Sequence, residues 1–436
     1  MTCMMLFSVA LFACNKQNTE KESPKETGKV ENQSATPGAV SEFFLDNSFE
    51  QAEELVKKMT LEEKIGQMFL VAMPDEYDVV TEPKVSDKKL SKKKLKKLKK
   101  TLAKKQKKKL QAAVKKTQGM LKKYHVGGVY FTEKNVKNKK QTTDVVSKLQ
   151  SCVSGSALYV AVEEEGGENH SLSADVKELE TGAYMTPAEL GKRLTVEHVE
   201  QKGAEIAEKL TEWGINLNLA PVADLAAGKV VSYDMRCYGS EAGVTSDLLT
   251  SMVKGMREGG LAVTLKHFPG FGEATGDYTE EILNNENSLM KLRNNEFSVY
   301  EKGIKAGADC VMVGSMSVSK ITVKEIPAFL SEDIVTSILR EELGFEGVVM
   351  TPPLNEGVIT KNYTSEYVAV EAVKAGCDMV VMPANFEESY DALLAEVRSG
   401  RLDEKVINTA VCRILQNKIE RGILVLEESD ESLVDK

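Results

Sequence analysis

Short apolar runs recur along the chain at residues 68–71, 128–131, 158–162, 217–219, 262–265, 310–313, 348–350 and 379–382. Each reads as a buried strand, and segments of helical periodicity separate most of them. Thr60-Leu-Glu-Glu63 opens one helix with the residue types of a capping box, and residues 331–342 carry the pattern of another. Strand and helix alternate eight times, which predicts an α/β fold, a (β/α)8 barrel of the TIM type. In such a barrel the ligand lies at the strand exits. Those junctions fall at Glu163 to Glu165, Asp224, Lys266 with His267, Ser315, and Thr351 with Pro352.

The chain has 436 residues, enough for one barrel of about 250 to 350 residues with extra segments. One domain is expected, at 47–430, carrying an insertion at about 76–123. The core of that insertion changes the charge picture. Residues 88–123 hold 18 lysines and no acidic residue while the whole chain carries −9, which leaves the remainder near −27. Leu95, Leu98 and Leu102 share one helical face, as do Leu110, Val114 and Leu121, so the segment reads as an amphipathic helix or a helical pair. Two readings stand open: a solvated arm that docks on the acidic barrel, or a surface for an anionic lipid or cell-wall polymer. Nucleic acid is not expected, since no aromatics are interleaved with the lysines.

The N-terminus carries an apolar run at residues 4–13, too short to span a bilayer, followed at once by Cys14. Leu11-Phe-Ala-Cys14 resembles the bacterial lipobox, in which the cysteine is lipidated and becomes the first mature residue. That resemblance implies a signal peptide at 1–14, a lipid anchor on Cys14 and a place on the outer face of a bacterial cell membrane. An ordinary buried or cleaved hydrophobic start is the alternative. Residues 15–46 are rich in Lys, Glu, Ser, Thr and Asn and read as a flexible tether. Cys152, Cys237, Cys310, Cys377 and Cys412 match no metal-ligand spacing, and the chain has only four histidines, so no metal or other cofactor is expected.

Several motifs in order carry a resemblance to glycoside hydrolase family 3. They are Leu61-Glu-Glu-Lys-Ile-Gly-Gln-Met68, His125-Val-Gly-Gly-Val-Tyr-Phe131, Ala161-Val-Glu-Glu-Glu-Gly-Gly167, Gly214-Ile-Asn-Leu-Asn-Leu-Ala-Pro-Val-Ala-Asp224, Arg236-Cys-Tyr-Gly-Ser240 and Lys266-His-Phe-Pro-Gly-Phe-Gly272. Within the family the chain looks most like the single-barrel β-N-acetylhexosaminidases. The resemblance implies a substrate-binding role for Glu163, Arg236, Lys266, His267 and Asp224, and a carbohydrate partner containing N-acetylglucosamine. Glu163 stands where the family has Asp, and Glu168 stands where it has Arg.

The catalytic positions depart from the family. Gly344-Phe-Glu-Gly-Val-Val-Met-Thr-Pro-Pro-Leu-Asn-Glu-Gly357 resembles the nucleophile motif, but the aspartate's place falls on Pro352. In the loop Phe271-Gly-Glu-Ala-Thr-Gly-Asp-Tyr-Thr279 the two histidine places hold Phe271 and Thr279, and Asp277 alone survives. A retaining glycosidase needs a carboxylate to attack the anomeric carbon and a second group that serves as acid and then base. Neither proline nor threonine supplies these. Three functions follow: a glycan-binding lipoprotein without catalysis, a glycosidase whose nucleophile has moved to another carboxylate such as Glu164, Glu273, Asp277 or Glu356, or a surface scaffold that acts through its lysines.

Overall fold

The computed structural model describes residues 47–74, 92–136, 138–153, 155–167, 169–170, 185–229, 231–274, 276–322 and 325–426. The proposed signal with Cys14, the tether, residues 76–91 of the insertion, and Glu168 lie outside the described residues.

All eight apolar runs become strands or strand cores of one parallel barrel. The strands are β1 (Phe69–Ala72), β2 (Gly128–Tyr130), β3 (Tyr159–Val162), β6 (Leu217–Asn218), β7 (Ala262–Phe268), β8 (Cys310–Val313), β9 (Val348–Met350) and β10 (Val380–Val381), while β4 (Glu164–Gly166) and β5 (Asn169–His170) form a separate hairpin. Their order is β10-β1-β2-β3-β6-β7-β8-β9. A bridge from Met350 to Met379, with Thr351 N donating to Met379 O at 3.0 Å, closes the ring. The runs are almost wholly apolar because a barrel strand is covered on both faces, by the interior side chains and by the helices. Val160, Ala161, Val311 and Val349 are fully buried accordingly.

Local chemistry sets the helix ends. The Thr60 hydroxyl accepts from Glu63 N at 3.2 Å while Glu63 Oε2 accepts from Thr60 N at 2.9 Å, which completes the expected capping box. The second predicted helix forms at Asp333–Glu342 but winds as a π-helix. At the foot of the barrel, Lys418 from the Glu404–Glu420 helix is fully buried and donates to Gln67 Oε1, Gly127 O, Ser156 O and Ala157 O at 2.8 to 3.1 Å. Its ammonium gathers oxygens at the start of three strands, among them Gly127 O, which also accepts from Tyr159 N at 3.0 Å.

Among its described residues the insertion forms one helix, Lys92–Tyr124, 33 residues long. Its C-terminal third docks on the barrel through buried Ala113, Val114, Thr117, Leu121 and Tyr124. The Tyr124 ring meets Phe386 and Tyr390 edge-on at 5.0 Å, and its hydroxyl donates to Glu387 at 2.8 Å. The docked face is thus the apolar one.

Candidate functional site

The site gathers where β3, β6 and β7 end. After β3 the chain turns outward at Glu163 and enters the β4–β5 hairpin. Asn218 of β6 clamps that departure, accepting from Glu164 N at 2.8 Å and donating to Glu164 O at 3.0 Å. Gly167 sits at φ +65°, and a Cβ there would lie 2.3 Å from Thr186 Cγ2, so the hairpin turn excludes larger residues. β7, the longest strand at seven residues, carries Lys266 and His267 to the rim.

Two cations and two carboxylates interlock at this rim. Arg236 holds Glu165 bidentately, Nε to Oε2 at 2.8 Å and Nη2 to Oε1 at 2.7 Å. Lys266 Nζ lies 2.6 Å from Glu165 Oε1 and also donates to Glu163 Oε1, which stands 3.8 Å from Arg236 Nη2. The Glu165, Lys266 and Arg236 side chains are buried, whereas Glu163 is about one-third exposed. Burial opposes the ionisation of Glu165, but the charges of Lys266 and Arg236 outweigh it and hold the carboxyl well below its usual range. The four charges cancel, so the site is polar without carrying net charge.

Beside them stands a second cluster. Asp224 Oδ2 accepts from His267 N at 3.1 Å, from the Tyr233 hydroxyl, and from His267 Nδ1 at 2.8 Å. Burial, aided by the nearby Arg236 and Lys266 charges, pushes His267 below its usual range despite the bond to Asp224. The ring is therefore neutral at pH 7, with its proton on Nδ1 facing Asp224 and a lone pair on Nε2. Tyr233, Phe271 and Tyr278 pack edge-on at 4.9 to 5.3 Å, and Phe271 lies 5.5 Å from the His267 ring. Arg236 sits over Tyr233 at 5.3 Å.

The sequence-derived residues Glu163, Arg236, Lys266, His267 and Asp224 thus come together. Pro352 stands at the exit of β9, buried; the neighbouring Thr351 hydroxyl donates to Pro352 O at 2.8 Å and accepts from Val381 N at 2.9 Å. Asp277 and Thr279 form an exposed turn in which Asp277 Oδ1 accepts both Thr279 N at 2.9 Å and Thr279 Oγ1 at 2.5 Å. That carboxylate is engaged in its own turn. Glu273 is exposed and paired with Lys291 at 2.5 Å. Glu356 is solvent-exposed at the head of the Gly357–Thr360 helix, although crowding around its carboxyl and then the charge of Glu163 push it up to about 7, against the pull of Arg236 and Lys266. Sequence reasoning placed Glu165 at a strand exit without giving it a partner, and missed Tyr233 and Tyr278. Glu165 had one available signal: two cations at the rim need two carboxylates, and Glu163 is only one.

The sequence model of the glycosyl hydrolase family 3 N-terminal domain matches residues 60–417. The chain belongs to glycosyl hydrolase family 3. A β-hexosaminidase of Stenotrophomonas maltophilia (strain K279a) is 30% identical over 317 residues, covering 65% of this chain and 92% of that protein. β-Hexosaminidase A of Pseudoalteromonas piscicida is 24% identical over 324 residues, and there the match spans 69% of this chain but only 54% of the relative. Among solved structures, a family 3 β-N-acetylglucosaminidase from Paenibacillus superposes with a TM-score of 0.70 at 27% identity, covering 86% of this chain and 66% of that one. A β-N-acetylhexosaminidase from Beutenbergia cavernae gives 0.66 at 25% identity, covering 84% and 99%. The (β/α)8 expectation agrees with this membership.

Proposed function

We propose that this family 3 member is a glycan-binding protein that grips a sugar of the N-acetylglucosamine type without hydrolysing it. In this reading a lipid on Cys14 holds it at the outer face of the cell membrane, and the lysine-rich helix meets an anionic partner there. The observation that carries the loss of catalysis is Pro352, which occupies the strand exit where the family resemblance expects the nucleophilic carboxylate.

The remaining groups suit recognition of hydroxyls. Lys266 directs two of its three N–H donors to Glu163 and Glu165, which leaves one. Arg236 Nη1 and Nη2 each retain a donor beyond those given to Tyr278 and Glu165. Glu163 and His267 Nε2 accept. A sugar hydroxyl both donates and accepts, so it can insert between Lys266 and Glu163 and keep both satisfied. Tyr233 and Tyr278 add an apolar wall. The names of the relatives support N-acetylglucosamine as the sugar class.

One observation favours a second reading, a working hydrolase. Glu356 lies within electrostatic reach of Glu163, Arg236 and Lys266, and its elevated pKa suits an acid better than a nucleophile.

The test is hydrolysis of a panel of aryl β-glycosides, N-acetylglucosaminide included, beside Asp277→Asn and Glu356→Gln variants, together with thermal melting in N-acetylglucosamine. A melting temperature that rises with the sugar, is unmoved in Lys266→Ala, and comes with no turnover above the variants supports the binder. Turnover abolished by Glu356→Gln sinks it in favour of a relocated active site. Neither turnover nor a sugar-dependent shift leaves the scaffold reading.

A further inference from the structure

The Lys92–Tyr124 helix is about 50 Å long. At 100° per residue, Leu102, Gln106, Leu110, Ala113, Thr117, Leu121 and Tyr124 form one stripe along it, and every residue of that stripe is buried or half-buried. Lys97, Lys100, Lys104 and Lys108 project from the opposite side of the helix, and Lys96 and Lys107 from its flanks. Lys96, Lys97, Lys100, Lys104, Lys107 and Lys108 are all exposed, and none of the six makes an ion pair among the described residues. At the far end of the helix, Lys123 lies 3.9 Å from Glu387, the carboxylate that also accepts from the Tyr124 hydroxyl.

This arrangement is costly in isolation. Lysines three and four apart on one helix repel, and no acidic residue on the helix offsets them. The rest of the chain is strongly acidic, yet among the described residues none of its carboxylates pairs with these six lysines, which precede the docked third of the helix. Six exposed lysines that no described carboxylate neutralises point to an external anionic ligand.

We propose that this helix lies along an anionic lipid bilayer, its lysine face toward the phosphate headgroups. The proposal deepens the reading above, whose anionic partner it specifies. The width of the face favours a plane over a thread: flexible lysine stems on both flanks can bend down to a flat surface, whereas a linear polymer would engage a single row. The exposed face carries no aromatic side chain, so it offers nothing for stacking bases or for inserting into the acyl region. The contact is therefore electrostatic and peripheral. A single acyl chain gives only marginal membrane binding, and a polybasic face is the kind of second signal that makes anchoring stable.

The experiment is vesicle co-sedimentation of the full chain carrying Cys14→Ser, so that no acyl chain contributes, with one-third phosphatidylglycerol in phosphatidylcholine and with phosphatidylcholine alone. A second protein also carries glutamine at the six lysines, a change that keeps helix propensity; circular dichroism and melting confirm that it folds. Expected are binding to the anionic vesicles only, a steep loss as salt rises, and a drop of roughly a hundredfold or more in the glutamine variant. Equal binding to neutral vesicles, equal binding by the variant, or no vesicle binding overturns the proposal. Binding to inorganic polyphosphate or single-stranded RNA without vesicle binding also overturns it and assigns the helix to a linear polyanion. Sugar-dependent melting is unaffected by the six substitutions, so failure here is distinct from failure of the glycan-binding reading.

Discussion

Glu165 and Arg236, 71 positions apart in the chain, form a buried bidentate ion pair at 2.7 and 2.8 Å, and Lys266 closes on the same carboxylate at 2.6 Å. One acidic side chain thus pairs with both cations of the site, and Glu163 completes the charge balance. Removing it leaves two buried positive charges facing only the half-exposed Glu163.

Glu165→Gln keeps the shape and deletes the charge. It costs about 3–5 kcal/mol in urea denaturation at pH 7, the range for breaking a buried pair. The pH dependence has a definite sign. Because the folded carboxyl is held below its usual range, its contribution is complete above the unfolded pKa of about 4.3 and is lost as the pH falls through the folded value. The wild type loses stability on acidification below that point more steeply than the Gln variant. Parallel curves would show that Glu165 is not the group responsible.

Glu296 behaves in the opposite sense. Burial pushes its carboxyl up to about 7, with the charge of Asp224 adding to the effect. Both groups border Gly270, where a Cβ would lie 2.9 Å from Glu296 Cγ and 3.5 Å from Asp224 Oδ1. The native state then holds a proton that the unfolded chain releases, so this contribution is complete below about 4.3 and lost as pH rises through about 7. Up to about 3 kcal/mol is at stake. Denaturation at pH 5 and pH 8 reads it, and Glu296→Gln should remove this part of the difference.

Pro352→Asp returns a carboxylate to the exit of β9. Alone it gives no sustained turnover of an aryl β-N-acetylglucosaminide, because position 279 still holds threonine in an exposed turn. Combined with Thr279→His, turnover rises by ~10²–10⁴ over the single variant, the range for general acid–base assistance. Equal rates in the two proteins would show that the loop cannot bring residue 279 to the bond.

Lys418→Met removes the ammonium from four oxygen acceptors at the barrel foot. Methionine fills a similar volume but donates nothing, so the variant is destabilised by about 3 kcal/mol or more. Thermal melting reads this, and sugar binding at the opposite end of the barrel persists in whatever remains folded.

The strands were legible because burial on both faces of a barrel strand demands a short apolar run, and that demand is local. All eight runs appear as barrel strands, and the motif residues Glu163, Asp224, Arg236, Lys266 and His267 sit at their exits or beside them. That Pro352 and Thr279 stand at the family's catalytic positions is what the resemblance implied, since the residue type at one position is read without the fold. The hidden part was pairing. Nothing in the Glu-Glu-Glu-Gly-Gly turn says which carboxylate faces inward; that follows from the β4–β5 hairpin and from Asn218, which fixes how the chain leaves β3. The sequence could count the lysines of the long helix, but which of them stay exposed depended on which stripe the barrel would bury. Periodicity by itself determined the barrel, and the resemblance of the motifs to family 3 implied the family and the carboxylate missing at Pro352, because each is written in neighbouring residues. The neutralised cation pair, the neutral His267 and the outward lysine face were decided only by tertiary structure, because each depends on groups brought together from distant parts of the chain and on the burial they share.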